Sequence, residues 1–190
     1  ISHKALNTIA RGGFSAEVLG LLVDSVKRLN HAKVDVIVIP CNTVHVFIND
    51  LRRISDVPIL SIIEETAKEC KNKSFKKVGV MGSTTTIKEE LYFAELQKQS
   101  IEMLIPSEED QHFVSESIIK IVNQNTVPED KQRMIKIIEK MKEEGAEAII
   151  LGCTDLFLII TPEDVAISIV NSTQVLEEGV INWLKENNGE

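Results

Sequence analysis

Metal-ligand spacing is missing from this chain. Its four histidines, His3, His31, His45 and His112, form no HExxH pattern, and its three cysteines, Cys41, Cys70 and Cys153, form no CxxC or Cys/His cluster. An odd cysteine count without such spacing argues against a structural zinc site or a disulfide scaffold, and fits a reducing compartment. Basic patches are absent too. Lys and Arg number 21 against 29 Asp and Glu, giving a formal charge of −8 and a pI near 5.1, the wrong sign for nucleic acid or an anionic membrane surface. The longest apolar runs, such as 34–40 with Asp35 inside it, fall far short of the roughly 20 residues that cross a bilayer, and the first residues lack a cleavable apolar segment. The run Gly82-Ser83-Thr84-Thr85-Thr86 lacks the spacing of a Walker or dinucleotide loop, which argues against nucleotide binding. These absences predict a cytoplasmic protein with no nucleic-acid, membrane, metal or cofactor partner.

What is present is the pattern of a packed α/β protein. With 190 residues and 43% hydrophobic content, the chain can bury a core as one domain or two small ones. Helical periodicity alternates with short apolar strands, the signature of mostly parallel sheets. The spacing predicts helices over 15–30, from Thr43, over 61–72, 85–98, 108–123, 128–144 and 172–187, and strands over 34–40, 57–60, 77–81, 101–105, 147–151 and 165–169. Ser61 and Glu64 are placed as a capping-box pair, and Pro128 as a first-turn proline. The expected architecture is two similar α/β lobes, residues 1–76 plus 171–190 and residues 77–170, with the active site in the cleft between them. No strand precedes the first helix, so matching lobes predict a further N-terminal βα segment of roughly 30 residues or more.

Two segments resemble each other. Val36-Ile37-Val38-Ile39-Pro40-Cys41-Asn42-Thr43 and Ala148-Ile149-Ile150-Leu151-Gly152-Cys153-Thr154 each read as a buried strand, a small or rigid residue, then Cys followed closely by Thr. Ligands of open α/β sheets bind outside the carboxyl ends of such strands, so both thiols are placed for chemistry. Two thiols facing one pocket from opposite sides suggest an acid and a base on either face of a substrate carbon. An isolated cysteine in an apolar strand is more often inert core, but duplication favours a functional pair. Helix N-termini after both cysteines are expected to lower the thiol pKa values toward neutrality. Cys70 shares a helix face with Ile63, Thr66 and Ala67 and reads as core. Thr43, Thr154 and the 82–86 run offer hydroxyls and amides to an anion, or simply cap helices. His45 could orient a thiolate or substrate, or serve as a cap or core residue. Asp155 could accept a substrate ammonium or tune Cys153, or act as a solvated first-turn acid.

The ordered set PCNTVH, SIIEET, GSTTTIK, PSEEDQ and GCTD, with its cysteines 153 − 41 = 112 residues apart, resembles the aspartate/glutamate racemase family, closest to its aspartate racemase branch. Glutamate racemases typically carry His where this chain has Asp155, and an acid there favours the aspartate side. The resemblance implies two α/β lobes, a homodimer, and cofactor-independent racemisation of an amino acid, aspartate or glutamate first. It makes Cys41 and Cys153 the two bases and gives Asn42, Thr43, Thr84, Thr85 and Thr154 to the substrate carboxylate and amine. Abstracting a Cα proton from one face and returning one to the other fits a thiolate and a thiol opposed across the carbon, with fixed amides and hydroxyls stabilising the charge that develops.

Two positions depart from the branch. Aspartate racemases resemble one another in presenting an Arg where this chain has Asn7 and a Lys where it has Asn123. Both cations are expected to grip substrate carboxylates. Arg11 and Lys120 are the candidates to replace them, and without them a neutral amino acid becomes the alternative substrate. Rival readings are another two-cysteine enzyme of the hydantoin racemase or maleate isomerase type, and a degenerate paralogue that binds an amino acid without turnover.

Overall fold

The computed structural model describes Thr8 and residues 16–188. The chain runs through α1 (Ala16–His31), β1 (Ile37–Val38), a 3-10 helix (Thr43–Phe47), α2 (Ile48–Ile54), β2 (Ile59–Leu60), α3 (Ile62–Asn72), β3 (Lys77–Gly82) and α4 (Thr84–Lys88). It continues with α5 (Phe93–Lys98), β4 (Glu102–Leu104), α6 (Glu108–Val122), α7 (Pro128–Glu143) and β5 (Ala148–Gly152). Two 3-10 turns (Leu156–Leu158 and Pro162–Asp164), β6 (Ser168–Asn171) and α8 (Ser172–Asn188) complete it.

The second half holds a parallel sheet in the order β4-β3-β5-β6. Its central strands are the buried ones, β5 along its whole length and β3 after Lys77, because both faces are covered there. Ala148 and Ile150 of β5 join Val78 and Val80 of β3 against α3, α5 and Leu176 of α8, while Ile149 and Leu151 face Val114 and Ile118 of α6 and Met134, Ile138 and Met141 of α7. Alternate residues of one strand therefore serve two different cores. Among the described residues the first half holds a two-stranded parallel sheet, β1-β2, over a third core of Val18, Val26, Val44, Phe47 and Leu51. Here the strand expected over 34–40 shrinks to Ile37–Val38. Its described partner is only two residues long, with Ile37 opposite Ile59 and Val38 opposite Leu60, and the Cys41 N–H turns back to the Ile39 carbonyl at 2.9 Å. The strand expected over 165–169 lies instead at Ser168–Asn171, in register with Ala148–Leu151.

Helix ends follow their caps. Ser61 accepts the Glu64 N–H, so the predicted start of α3 holds. The Glu64 carboxylate, however, turns to the Arg52 guanidinium in a fork of 2.6 and 2.8 Å that ties α2 to α3. The helix expected over 85–98 is two helices. Glu90 adopts φ +50° between α4 and α5, and the break carries Tyr92 into the core at 1% exposure. No helix among the described residues is long and apolar enough to cross a membrane.

Candidate active site

β1 and β5 belong to different sheets, and each delivers a half-buried cysteine just past its carboxyl end. Both cysteines are followed by 3-10 turns, beginning at Thr43 and at Leu156. The two segments repeat each other at the sulfur. Backbone amides two and three residues on act on each thiol in the same direction, those of Thr43 and Val44 lowering Cys41 and those of Asp155 and Leu156 lowering Cys153. Each thiol thus has a small nest of N–H donors that favours its thiolate.

Burial outweighs those donors. Desolvation pushes the Cys41 thiol up, against the Val44 and Thr43 amides, and the Asp155 charge adds to the rise. Desolvation pushes Cys153 up to about 12, opposed by the Asp155 and Leu156 amides and reinforced by the Asp155 and Cys41 charges. The expected lowering toward neutrality is therefore corrected. The turns of 5 and 3 residues are too short for a strong macrodipole, and taking a thiolate out of water costs more than two amides return.

Asp155 stands beside Cys153. Its Oδ2 lies 4.0 Å from Cys153 Sγ, and partial burial raises its carboxyl. His45, 3% exposed, shares a hydrogen bond of 2.8 Å between its Nδ1 and the Cys41 carbonyl. Because a carbonyl only accepts, Nδ1 carries the proton, and burial holds the imidazole neutral with a pKa lowered to about 4. Cys70 is fully buried in the core beneath β3, apart from the other two cysteines, with its thiol pushed up to about 12.

The hydroxyl residues form a linked wall. Thr43 Oγ1 lies 2.9 Å from Ser83 Oγ, which lies 3.0 Å from Thr86 Oγ1 and caps α4 by accepting the Thr86 N–H. Thr84 donates to Ser115 Oγ at 2.9 Å, and Gln111 Nε2 donates both to Ser115 Oγ and to the Gly82 carbonyl. Thr85 is buried, and Thr154 is half-buried between Cys153 and Asp155. Asn42, expected among the substrate contacts, is 1% exposed, with Oδ1 accepting from Tyr92 and Nδ2 donating to Ser172.

The candidate replacement cation does not reach this wall. Lys120 is paired at 2.6 Å with Asp130, and it sits nine residues past Gln111 on α6, about 14 Å along the helix. Asn123 is exposed at the end of α6 and donates to the Ile119 carbonyl. Asn7 and Arg11 lie outside the described residues. Sequence reasoning gave no role to Tyr92, Ser115 or Gln111; the first was hidden inside an apparently continuous helix, Ser115 sits on a helix face that reads as ordinary, and Gln111 closes the PSEEDQ segment. Among the described residues, no group of three or more His, Cys, Asp or Glu is placed to hold a metal ion.

The sequence and the fold have relatives among known proteins. A sequence model of the family described as Asp/Glu/hydantoin racemase matches residues 5–178. The chain is similar to the broad specificity amino-acid racemase RacX of Bacillus subtilis, at 29% identity over 87% of this chain and 72% of that protein. It is similar at 29% identity to a glutamate racemase of Sulfurihydrogenibium over 80% of this chain, but spans only 55% of that enzyme. Among solved structures it resembles an aspartate racemase homologue from Pyrococcus horikoshii, with a TM-score of 0.77 and 29% identity over 86% of this chain and 73% of that one. The aspartate racemase of Picrophilus torridus shares the fold with a TM-score of 0.74, at 24% identity over 86% of this chain and 68% of that one.

Proposed function

We propose, from the premise that this chain belongs to the Asp/Glu/hydantoin racemase family, that it inverts the α-carbon of a free amino acid with Cys41 and Cys153 as paired acid and base. The observation that supports this reading most directly is the repeated amide nest: two sulfurs from separate sheets, each met by N–H groups two and three residues on. In one direction the thiolate of one cysteine takes the Cα proton and the thiol of the other delivers a proton to the opposite face. In reverse their roles exchange, and the proton count is unchanged. Both thiols are protonated at neutral pH without substrate, so one must lose its proton before turnover begins. That proton leaves to solvent, and Asp155 beside Cys153 keeps the negative charge that suits a substrate ammonium. Hydroxyls of Thr43, Thr84 and Thr154, with nearby amides, are assigned to the α-carboxylate, where charge grows as the proton leaves.

Aspartate and glutamate remain the first substrates to test, but selectivity is expected to be broad. Lys120 is held by Asp130 and Asn123 is on the surface, so neither supplies a cation for a second substrate carboxylate. Incubating L- and D-aspartate, glutamate and alanine separately in deuterated water tests the reading. It predicts Cα deuterium and convergence on an equal mixture from either enantiomer, after dialysis against chelator and without pyridoxal phosphate. Binding of an amino acid with no Cα exchange would leave the degenerate-binder reading; exchange confined to a hydantoin, or isomerisation of maleate, would move the activity to those enzyme types.

A further inference from the structure

Four polar groups run in one directed line through the interior. Tyr92 Oη donates to Asn42 Oδ1 at 2.6 Å, Asn42 Nδ2 donates to Ser172 Oγ at 3.2 Å, and Ser172 Oγ donates to the Leu151 carbonyl at 2.7 Å. The carbonyl only accepts, so the Ser172 proton is committed to it. Ser172 must then accept from the amide nitrogen, which leaves the amide oxygen to accept from the phenol. One end fixes the polarity of the whole chain. Tyr92, Asn42 and Ser172 are 1%, 1% and 0% exposed, and burial keeps the phenol protonated as the line requires. Loss of any member strands a buried polar group.

What the line connects gives it meaning. Asn42 directly follows Cys41 and precedes Thr43 and Val44, whose amides meet the Cys41 sulfur. Leu151 is two residues before Cys153, on β5. Ser172 opens α8, which packs on α3 and against β2, β5 and β6. The relay thus joins the Cys41 turn of one sheet to the Cys153 strand of the other.

We infer that the Tyr92–Asn42–Ser172–Leu151 line is a positioning relay that fixes the Cys41 turn relative to β5, and that the Tyr92 hydroxyl sets the reactivity of Cys41 through Asn42. The catalytic consequence rests on the racemase reading above, but the relay itself does not. Releasing Asn42 lets the Thr43 and Val44 amides drift from the sulfur. The Cys41 thiolate then loses its donors while Cys153 keeps Asp155 and Leu156.

The test is Tyr92→Phe, which keeps the ring and removes only the hydroxyl, with Ser172→Ala cutting the line at its far end. Alkylation of each cysteine by iodoacetamide is followed from pH 7 to 10 by peptide mass spectrometry in the folded proteins. The relay predicts that Cys41 alkylation in Tyr92→Phe moves to higher pH and slows at least threefold at pH 8, with Cys153 changing less than twofold. Ser172→Ala should shift Cys41 in the same direction. Turnover should fall on the order of tenfold in kcat with KM within about twofold. Since the equilibrium constant of racemisation is unity, kcat/KM must fall equally in both directions. An unchanged Cys41 profile in folded Tyr92→Phe overturns the relay. So does an equal change at Cys41 and Cys153, which would mark general loosening. Should Tyr92→Phe fail to fold, the Ser172→Ala profile decides alone by the same criteria. Absence of Cα exchange in the unmodified protein would instead count against the racemase reading, and the thiol profiles would still decide for or against the relay.

Discussion

Asp155→Asn separates the electrostatic role of this acid from its role toward substrate. The Asp155 carboxylate raises both thiols, and its Oδ2 stands 4.0 Å from Cys153 Sγ. At that separation two unit charges interact by about 1 kcal/mol in bulk water and about 4 kcal/mol at an effective dielectric of 20. Asp155 is half-buried, so solvent screening places the effect toward the lower end, at about 1–2 kcal/mol. Removing the charge favours the thiolate, which below the thiol pKa means roughly five- to thirtyfold more Cys153 thiolate at fixed pH. Iodoacetamide labelling at pH 8, read by peptide mass spectrometry, should show Cys153 reacting faster by that range and Cys70 unchanged. Turnover should move the opposite way, with a higher KM and lower kcat, because the variant has lost the charged partner of the substrate ammonium. Cys153 labelling at the unmodified rate or slower would refute the electrostatic reasoning. Faster labelling together with undiminished turnover would refute the catalytic assignment of Asp155.

Other perturbations have defined outcomes. His45 has a pKa of about 4 in the fold against 6.5 in the unfolded chain, so the unfolded state binds the extra proton; its contribution to stability is present above pH 6.5 and lost as pH falls through 4, by about 3 kcal/mol in all. Urea denaturation between pH 7 and 4 should therefore show a shallower decline in His45→Asn, and an unchanged slope would contradict the assignment. Cys70→Ser should lower stability by about 1–3 kcal/mol, since it buries a hydroxyl in the apolar core, while leaving kcat within about twofold; a folded variant without turnover would show the three cysteines wrongly sorted. Gly152→Ala should cost about 1–3 kcal/mol in thermal melts, because its Cβ would meet the Met81 carbonyl oxygen at 3.0 Å and Tyr92 Cε2 at 3.3 Å, where the backbone atom has little room to yield. A melting temperature equal to the unmodified protein's would show that this strand end has more slack than its contacts indicate.

The parts of this architecture legible in the sequence are those set by local chemistry. The apolar run at 148–152 could only be a strand covered twice, and Ser61, Pro128 and Ser172 marked helix starts with residues that suit them. The two Cys-Thr segments announced each other by duplication. What escaped was set by partners distant in sequence. Ile37–Val38 is short because its ladder to Ile59–Leu60 is short. Glu90 carries no glycine-like signal for its positive φ, so the break that turns Tyr92 inward was invisible. Thiol pKa values depend on the depth of burial and on a neighbouring Asp155, neither of which spacing reports. The motif marked Asn42, but not its hydrogen bonds to Tyr92 and Ser172, 50 and 130 residues away.

The central claim is that two thiols act on opposite faces of one carbon. Its most direct test is deuterium incorporation at Cα during turnover of L- and D-aspartate in deuterated water by the unmodified protein, Cys41→Ser and Cys153→Ser. A serine hydroxyl is a far poorer base than a thiolate at neutral pH, so each single variant should abolish interconversion of the enantiomers while remaining folded. Residual exchange with retention of configuration is permitted in each, restricted to the enantiomer that faces the surviving thiol and opposite between the two variants. Full racemisation by either variant would contradict the two-thiol account.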